Sequence, residues 1–278
     1  MAVRIDAHQH YWKLERGDYG WLTPEFGPIY RDFLPADLKP ILARHGIDKT
    51  IAVQAAPTVA ETEYLLELAS AEPTIAGVVG WVDMEADDFE KQLDRLRQNP
   101  KFVGIRPMIQ DIEDEGWILR PKVRRSLAAL EERGFPLDFL TLPRHLPCVL
   151  EVLDGHPNLR AIIDHLSKPP IKAGTTHPWA DLIRRVGDHP NVMCKLSGMV
   201  TEADRKNWTA DDLKPYVAHA FDVFGPDRVV FGSDWPVCLL AATYDQVVES
   251  LRRALGDRLT PELEPKLFGE NAARFYGV

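Results

Sequence analysis

Cysteine is scarce in this 278-residue chain, with three residues at positions 148, 194 and 238. They are far apart and odd in number, and none forms a CxxC pair, so neither a disulfide framework nor a cysteine-held structural zinc site is suggested. Cys194 and Cys238 stand in or beside apolar stretches and read as small buried hydrophobes. Positive charge is also in deficit. Lysine and arginine number 33 against 42 acidic residues, for a formal net charge of -9, which argues against nucleic acid, a partner that wants a basic face. Long apolar runs are missing, so no membrane span and no secretory leader is expected, and the expected address is the cytoplasm. No glycine-rich phosphate loop follows any strand-like run, which speaks against a dinucleotide-binding open sheet.

What is present is a rhythm. Hydrophobic residues make up 45% of the chain, ample for a large core, and they fall in short runs separated by helix-like segments. After a first strand near residues 4–10, strand-like runs occur at 49–55, 75–82, 102–108, 136–141, 159–164, 191–196 and 228–232. Between them lie helical patterns at 38–46, 60–71, 87–98, 122–133, 146–154, 179–186 and 210–224, with a last one near 262–276. Strict β-α alternation means parallel strands with right-handed crossovers. Eight such units in a chain of this length predict a (β/α)8 TIM barrel, α/β in class, formed by a single domain over residues 1–278. No linker or low-complexity tract interrupts it.

In such a barrel the active site lies at the C-terminal ends of the strands. His8 and His10 end the first run, and strand alternation points both the same way. His165 ends the sixth run and Asp234 the eighth, so these four converge at one mouth. The aromatic segment from Tyr11 to about Arg31 is a long loop of the kind that closes over a site or packs outside the core. Arg106 in the fourth strand and Lys195 in the seventh are long cations in apolar surroundings. A buried charge must find a partner, so each pairs with a carboxylate in the barrel or faces the site to hold substrate, and the site is the preferred reading. Asp6 shares strand parity with His8, whereas Asp164 faces away from His165; both are candidates either to orient imidazoles or to brace the barrel wall.

DAHQH on the first strand, IIDHLSKP on the sixth, MCKLSG on the seventh and VVFGSDWP on the eighth resemble the amidohydrolase superfamily, and within it the sugar-lactonase branch. The resemblance runs to the GENAARFYG tail. It implies a hydrolase that opens a sugar-acid lactone of the L-fucono-, L-rhamnono- or galactono- type to the aldonic acid, with a small-molecule sugar lactone as its partner. Metal-using members add a bridging lysine on the fourth strand or a histidine on the fifth. This chain departs from both, with Arg106-Pro107 ending its fourth strand and no histidine in its fifth. His8, His10 and Asp234 remain as a candidate site for a single divalent metal, zinc by preference, with His165 as a possible fourth ligand. Metal-free hydrolysis is the equal alternative, and a binuclear centre is not expected.

The mechanism implied uses Asp234 as general base, His8 and His10 to place water or carbonyl, and His165 as donor to the developing oxyanion or the leaving hydroxyl. Arg106 and Lys195 bind substrate, and His145 and Trp81 either shape the sugar pocket or serve as a surface cap and a core-packing residue respectively, readings of equal weight. Two further readings stay open: a metal-dependent hydrolase or decarboxylase of an aromatic or dicarboxylic acid, and a non-catalytic sugar-binding barrel.

Overall fold

The computed structural model describes residues 2–278. Eight parallel strands follow one another in chain order around the sheet: β1 (Ile5–Gln9), β2 (Lys49–Val53), β3 (Ile75–Gly80), β4 (Phe102–Ile105), β5 (Leu137–Phe139), β6 (Ala161–Ile163), β7 (Val192–Leu196) and β8 (Val229–Phe231). Helices alternate with them: α1 (Pro35–His45), α2 (Val59–Ala71), α3 (Phe89–Leu96), α4 (Pro121–Glu132), α5 (Leu146–Gly155), α6 (Trp179–Gly187), the short α7 (Met199–Glu202), and α8 (Ala210–Phe224). After β8 come α9 (Tyr244–Leu255), α10 (Leu263–Pro265) and α11 (Asn271–Tyr276). This is the expected (β/α)8 barrel. The regular ladders are shorter than the apolar runs, because the residues beyond them bend into the mouth. Besides the single turn of α7, one longer helix lies outside the expected set, although its buried residues Tyr244, Val247, Val248, Leu251 and Leu255 carry the helical spacing. It is α9, opened by a Thr243–Gln246 capping box.

The barrel closes at its mouth. The Asp234 N–H donates to His8 O at 2.8 Å and the His10 N–H to Trp235 O at 2.7 Å, joining the end of β1 to the residues beyond β8. Asp6 clips this seam: its Oδ1 accepts from the backbone N–H of His8 at 3.1 Å and of Ser233 at 2.9 Å. Its Oδ2 accepts from the Tyr244 hydroxyl at 3.0 Å.

Inside the barrel, Ile5, Ala7, Ile51, Val53, Val79, Ile162, Met193 and Val230 pack as a plug with Phe275 and Tyr276 of α11 beneath them. Helices cover the outer face with a second, larger cluster. The β1–β2 register shifts between Asp6 and Gln9, and this corrects the parity expected for Asp6. Ile5 and Ala7 point inward, the shift then turns His8 inward as well, and Asp6 is left on the outer side as a structural clip.

Glycine makes room at the seam. A Cβ on Gly232 would stand 2.6 Å from the Cβ of His8 and 3.1 Å from that of Ser197, closer than atoms pack without displacement. Gly232→Ala is expected to cost about 1–3 kcal/mol of stability and to displace His8; thermal unfolding together with an activity assay would check both effects.

Candidate active site

The strand ends bring four sequence-predicted residues together. His8 Nε2 and His10 Nε2 are 3.2 Å apart, and they lie 3.8 Å and 3.3 Å from Asp234 Oδ1. His165 Nε2 approaches the same oxygen at 3.8 Å. None of the four is more than 4% exposed. Strand alternation alone would turn either Asp164 or His165 away, yet both face the site. The backbone achieves this with four successive left-handed residues, His165 to Lys168, with φ between 50° and 58°. Such residues are costly outside glycine, and strain of this kind concentrates at functional sites. Asp234, with φ 57°, is likewise left-handed.

The imidazoles are anchored individually. His10 Nδ1 stands 2.8 Å from Val53 O; a carbonyl only accepts, so this nitrogen carries the proton and Nε2 turns a lone pair to the site. His165 Nδ1 pairs with Ser197 Oγ at 2.8 Å. His8 Nδ1 faces Lys195 Nζ at 3.1 Å and the Asp164 carboxylate at 3.6 Å. Burial pushes His165 down to about 4 against the pull of Asp234 and Asp164, and burial and the Lys195 charge hold His8 well below the ordinary imidazole range. Burial works against the Asp234 charge, but His165, His10 and His8 hold its carboxyl well below the usual carboxylate range. At neutral pH the site therefore presents neutral imidazoles around one carboxylate.

A cavity of about 220 Å³ opens over this group, smaller than the roughly 300–1,000 Å³ that drug-sized ligands occupy. Trp21 and Phe26 from the loop after β1, Met108, Leu140 and Leu240 give it apolar walls, and Gln110, Lys168, Glu202 and Arg205 ring it with polar groups. The long aromatic loop thus does line the site. Arg106 enters from β4, 3% exposed, anchored by the backbone and side-chain oxygens of Gln54 and by Asp164 Oδ2 at 3.4 Å. Its Nε has no hydrogen-bond partner. A buried, unpaired N–H on a cation beside a cavity is a ready donor for a ligand oxygen.

His8, His10 and Asp234 can also hold a metal ion. Donors about 2.0–2.1 Å from a tetrahedral zinc lie roughly 3.3 Å from one another, and the three separations here fall near that value. A second group, His8, Asp164 and His165, meets the same proximity test but shares His8 with the first.

The amidohydrolase family model matches residues 5–278. The chain belongs to the amidohydrolase family. It is similar to an L-fucono-1,5-lactonase of Burkholderia ambifaria, 41% identical with 100% of this chain and 97% of that protein covered. A Burkholderia multivorans L-fucono-1,5-lactonase is 38% identical over the same shares. A crystal structure of a Burkholderia multivorans amidohydrolase with bound zinc superposes with a TM-score of 0.95 at 37% identity, covering both chains fully.

Three expected substrate contacts in this amidohydrolase fall elsewhere. Lys195 lies beneath the cavity, fully buried, with Nζ 2.5 Å from Asp138 Oδ2 and 2.9 Å from Asp164 Oδ1. Of the two readings open for it, pairing with carboxylates inside the barrel is the one the structure shows, one layer below the mouth. His145 is buried beside α5, where its Nδ1 accepts from the Leu142 N–H at 3.0 Å, a capping contact away from the cavity. Trp81 lines a neighbouring hollow of about 500 Å³, which shares Trp21, Met108 and Asp111 with the first.

Other groups escaped the strand-end reading. Asp138 and Gln54 were legible as polar residues in or just after apolar strands, whereas Tyr276, whose hydroxyl donates to Asp138 at 2.9 Å, carried no signal. Titration of His165 followed by NMR, with His165→Gln for assignment, is expected to show a midpoint near 4. The neutral ring then persists as pH falls from 7 to 5, whereas an ordinary imidazole would charge near 6.5.

Proposed function

We propose that this amidohydrolase is a lactonase that opens the lactone of a six-carbon sugar acid, L-fuconolactone by preference, to the free aldonic acid. The observation that carries the reading is the meeting of one carboxylate with three neutral imidazoles at a small cavity, beside a buried arginine whose Nε–H has no partner. The L-fucono-1,5-lactonase names of its full-length relatives support the substrate class.

A lactone is an activated ester, and its opening needs a base, a polarised carbonyl and a proton for the departing ring oxygen. Asp234 is the base. It is ionised at neutral pH, so a water resting against it on the cavity side can give its proton to the carboxylate as its oxygen bonds to the carbonyl carbon, with His10 3.3 Å away fixing the carboxylate's surroundings. The Arg106 Nε–H receives the carbonyl oxygen as negative charge develops on it. When the ring carbon–oxygen bond breaks, the proton taken by Asp234 passes to the leaving alkoxide, with His165 Nε2 on that side of the carboxylate. His8 backs His10 from behind. Trp21 and Phe26 offer apolar faces to the sugar ring, and Gln110, Glu202 and Arg205 offer partners for its hydroxyls.

A single zinc at His8, His10 and Asp234 would supply, when bound, a Lewis acid and a water of lowered pKa. We assign at most one ion, because the two candidate ligand groups share His8 and no lysine is free to bridge a pair: Lys195 is already held by Asp138 and Asp164. The unpaired cysteines suit a reducing compartment, and we place the enzyme in the cytoplasm.

Proton release on adding L-fucono-, L-rhamnono- and galactonolactones tests the reading. Turnover is expected with at least one of them, falling by about 10²–10⁴ in Asp234→Asn; full activity in that variant, or inertness to the whole panel, would refute it. Arg106→Met is expected to lower kcat by about 10²–10³, measured on the same substrates.

A further inference from the structure

Beneath the catalytic group runs a buried polar column. Tyr276 from α11 donates to both oxygens of Asp138, at 3.1 Å and 2.9 Å. Lys195 Nζ donates to Asp138 Oδ2 at 2.5 Å and to His8 Nδ1 at 3.1 Å, and it pairs with Asp164 Oδ1 at 2.9 Å. Lys195, Asp138, Asp164 and His8 are all fully buried. An ammonium flanked by two carboxylates has three donors and no acceptor, so His8 Nδ1 must accept, and a neutral His8 carries its proton on Nε2. That nitrogen points at His10 Nε2, 3.2 Å away, which is bare because His10 Nδ1–H is spent on Val53 O. The lysine-to-histidine-to-histidine chain is therefore consistent in direction from end to end. The contact of Arg106 Nη1 with His8 Nε2 at 3.4 Å is then donor against donor, which leaves Asp164 Oδ2 as the partner of that nitrogen.

This inverts the usual support of a metal-bound imidazole. A ligating histidine ordinarily gives its far N–H to a carboxylate or carbonyl, which raises its basicity toward the metal. His10 follows that pattern; His8 has an ammionium's proton directed at its far nitrogen instead. We propose that Lys195 is a positioning residue that fixes His8 in the Nε2–H tautomer, so that a proton joins His8 to His10 where a zinc ion would sit. The inference deepens the lactonase reading, since it describes the arrangement in which Asp234 stays free to act as base, but its evidence is independent of substrate. Zinc held at His8 Nε2 would require that proton to leave for solvent and Nδ1 to take one from Lys195, which would give up its charge between two carboxylates, so Lys195 weakens metal binding while His8, His10 and Asp234 keep distances suited to it.

The tautomer is read directly from long-range ¹H–¹⁵N correlations of the metal-free wild-type protein labelled in histidine, with His8→Gln for assignment. His8 protonated at Nε2 is expected; a His8 ring protonated at Nδ1, or exchanging between tautomers, overturns the proposal. Zinc affinity is then measured by calorimetry for wild type and for Lys195→Met/Asp138→Asn, which removes one charge of each sign and lets the His8 ring offer Nδ1–H to Asp164. The double variant is expected to bind zinc about tenfold or more tightly than wild type, the scale on which groups behind a ligand act; equal or weaker binding overturns the proposal. Should the double variant fail to fold, the wild-type spectrum still decides the matter. Neither measurement uses a lactone, so an inactive substrate panel would defeat the lactonase reading and leave this one standing.

Discussion

The structure depends on how its cylinder of strands is closed. Seven strand pairs are ordinary parallel ladders, but the eighth contact, between β1 and the residues after β8, is a short seam at the mouth. Its hydrogen bonds run through the backbone of His8, His10, Asp234 and Trp235, the same segments that carry the side chains proposed to react. The contacts that close the barrel are thus the contacts that bring His8, His10 and Asp234 together. Asp6 reinforces this from outside by accepting two backbone N–H groups across the seam, and burial raises its pKa to about 6 despite those bonds.

The second constraint is the cost of charge inside the barrel. Lys195, Asp138, Asp164 and Arg106 are each at most 3% exposed, and isolated charges at such depth would be prohibitive. They persist because they neutralise one another: burial works against Asp164, yet Lys195, His8 and Arg106 hold its carboxyl well below the usual range. An apolar plug would fill the same space more cheaply. The polar layer serves instead to orient His8 above it, whose ring nitrogens would otherwise be free to choose their protonation.

Much of this was legible in the sequence. The alternation of apolar runs with helical segments yields the barrel, and the rule that strand ends face the site picks out His8, His10, His165 and Asp234, which the structure gathers within 3.8 Å of one another along each contact described. What failed did so for identifiable reasons. Parity misplaced Asp6 because a register shift intervenes, and it could not foresee a left-handed turn that lets Asp164 and His165 face the same way. The cost of burying a cation does not say at what depth its partner lies, so Lys195 was preferred as a substrate contact when it stands one layer lower, paired with Asp138 and Asp164. His145 was ambiguous because a turn can spend an imidazole on its own backbone. Asp138 stood in view as a lone acid in an apolar strand, and pairing it with Lys195 required knowing that the fifth and seventh strands aim inward at the same level.

The polar column and the seam join parts of the chain that are remote in sequence. Tyr276 and Asp138 are separated by 138 positions, His8 and Lys195 by 187, and Asp6 and Ser233 by 227. Pairings of such span are non-local contacts, whose loop-closure entropy must be met before the contact stabilises anything. Neither half of the chain holds the whole proposed centre, since His8 and His10 come from its first strand and His165 and Asp234 from beyond its sixth and eighth: a fragment lacking either end would part the group that the intact cylinder holds together.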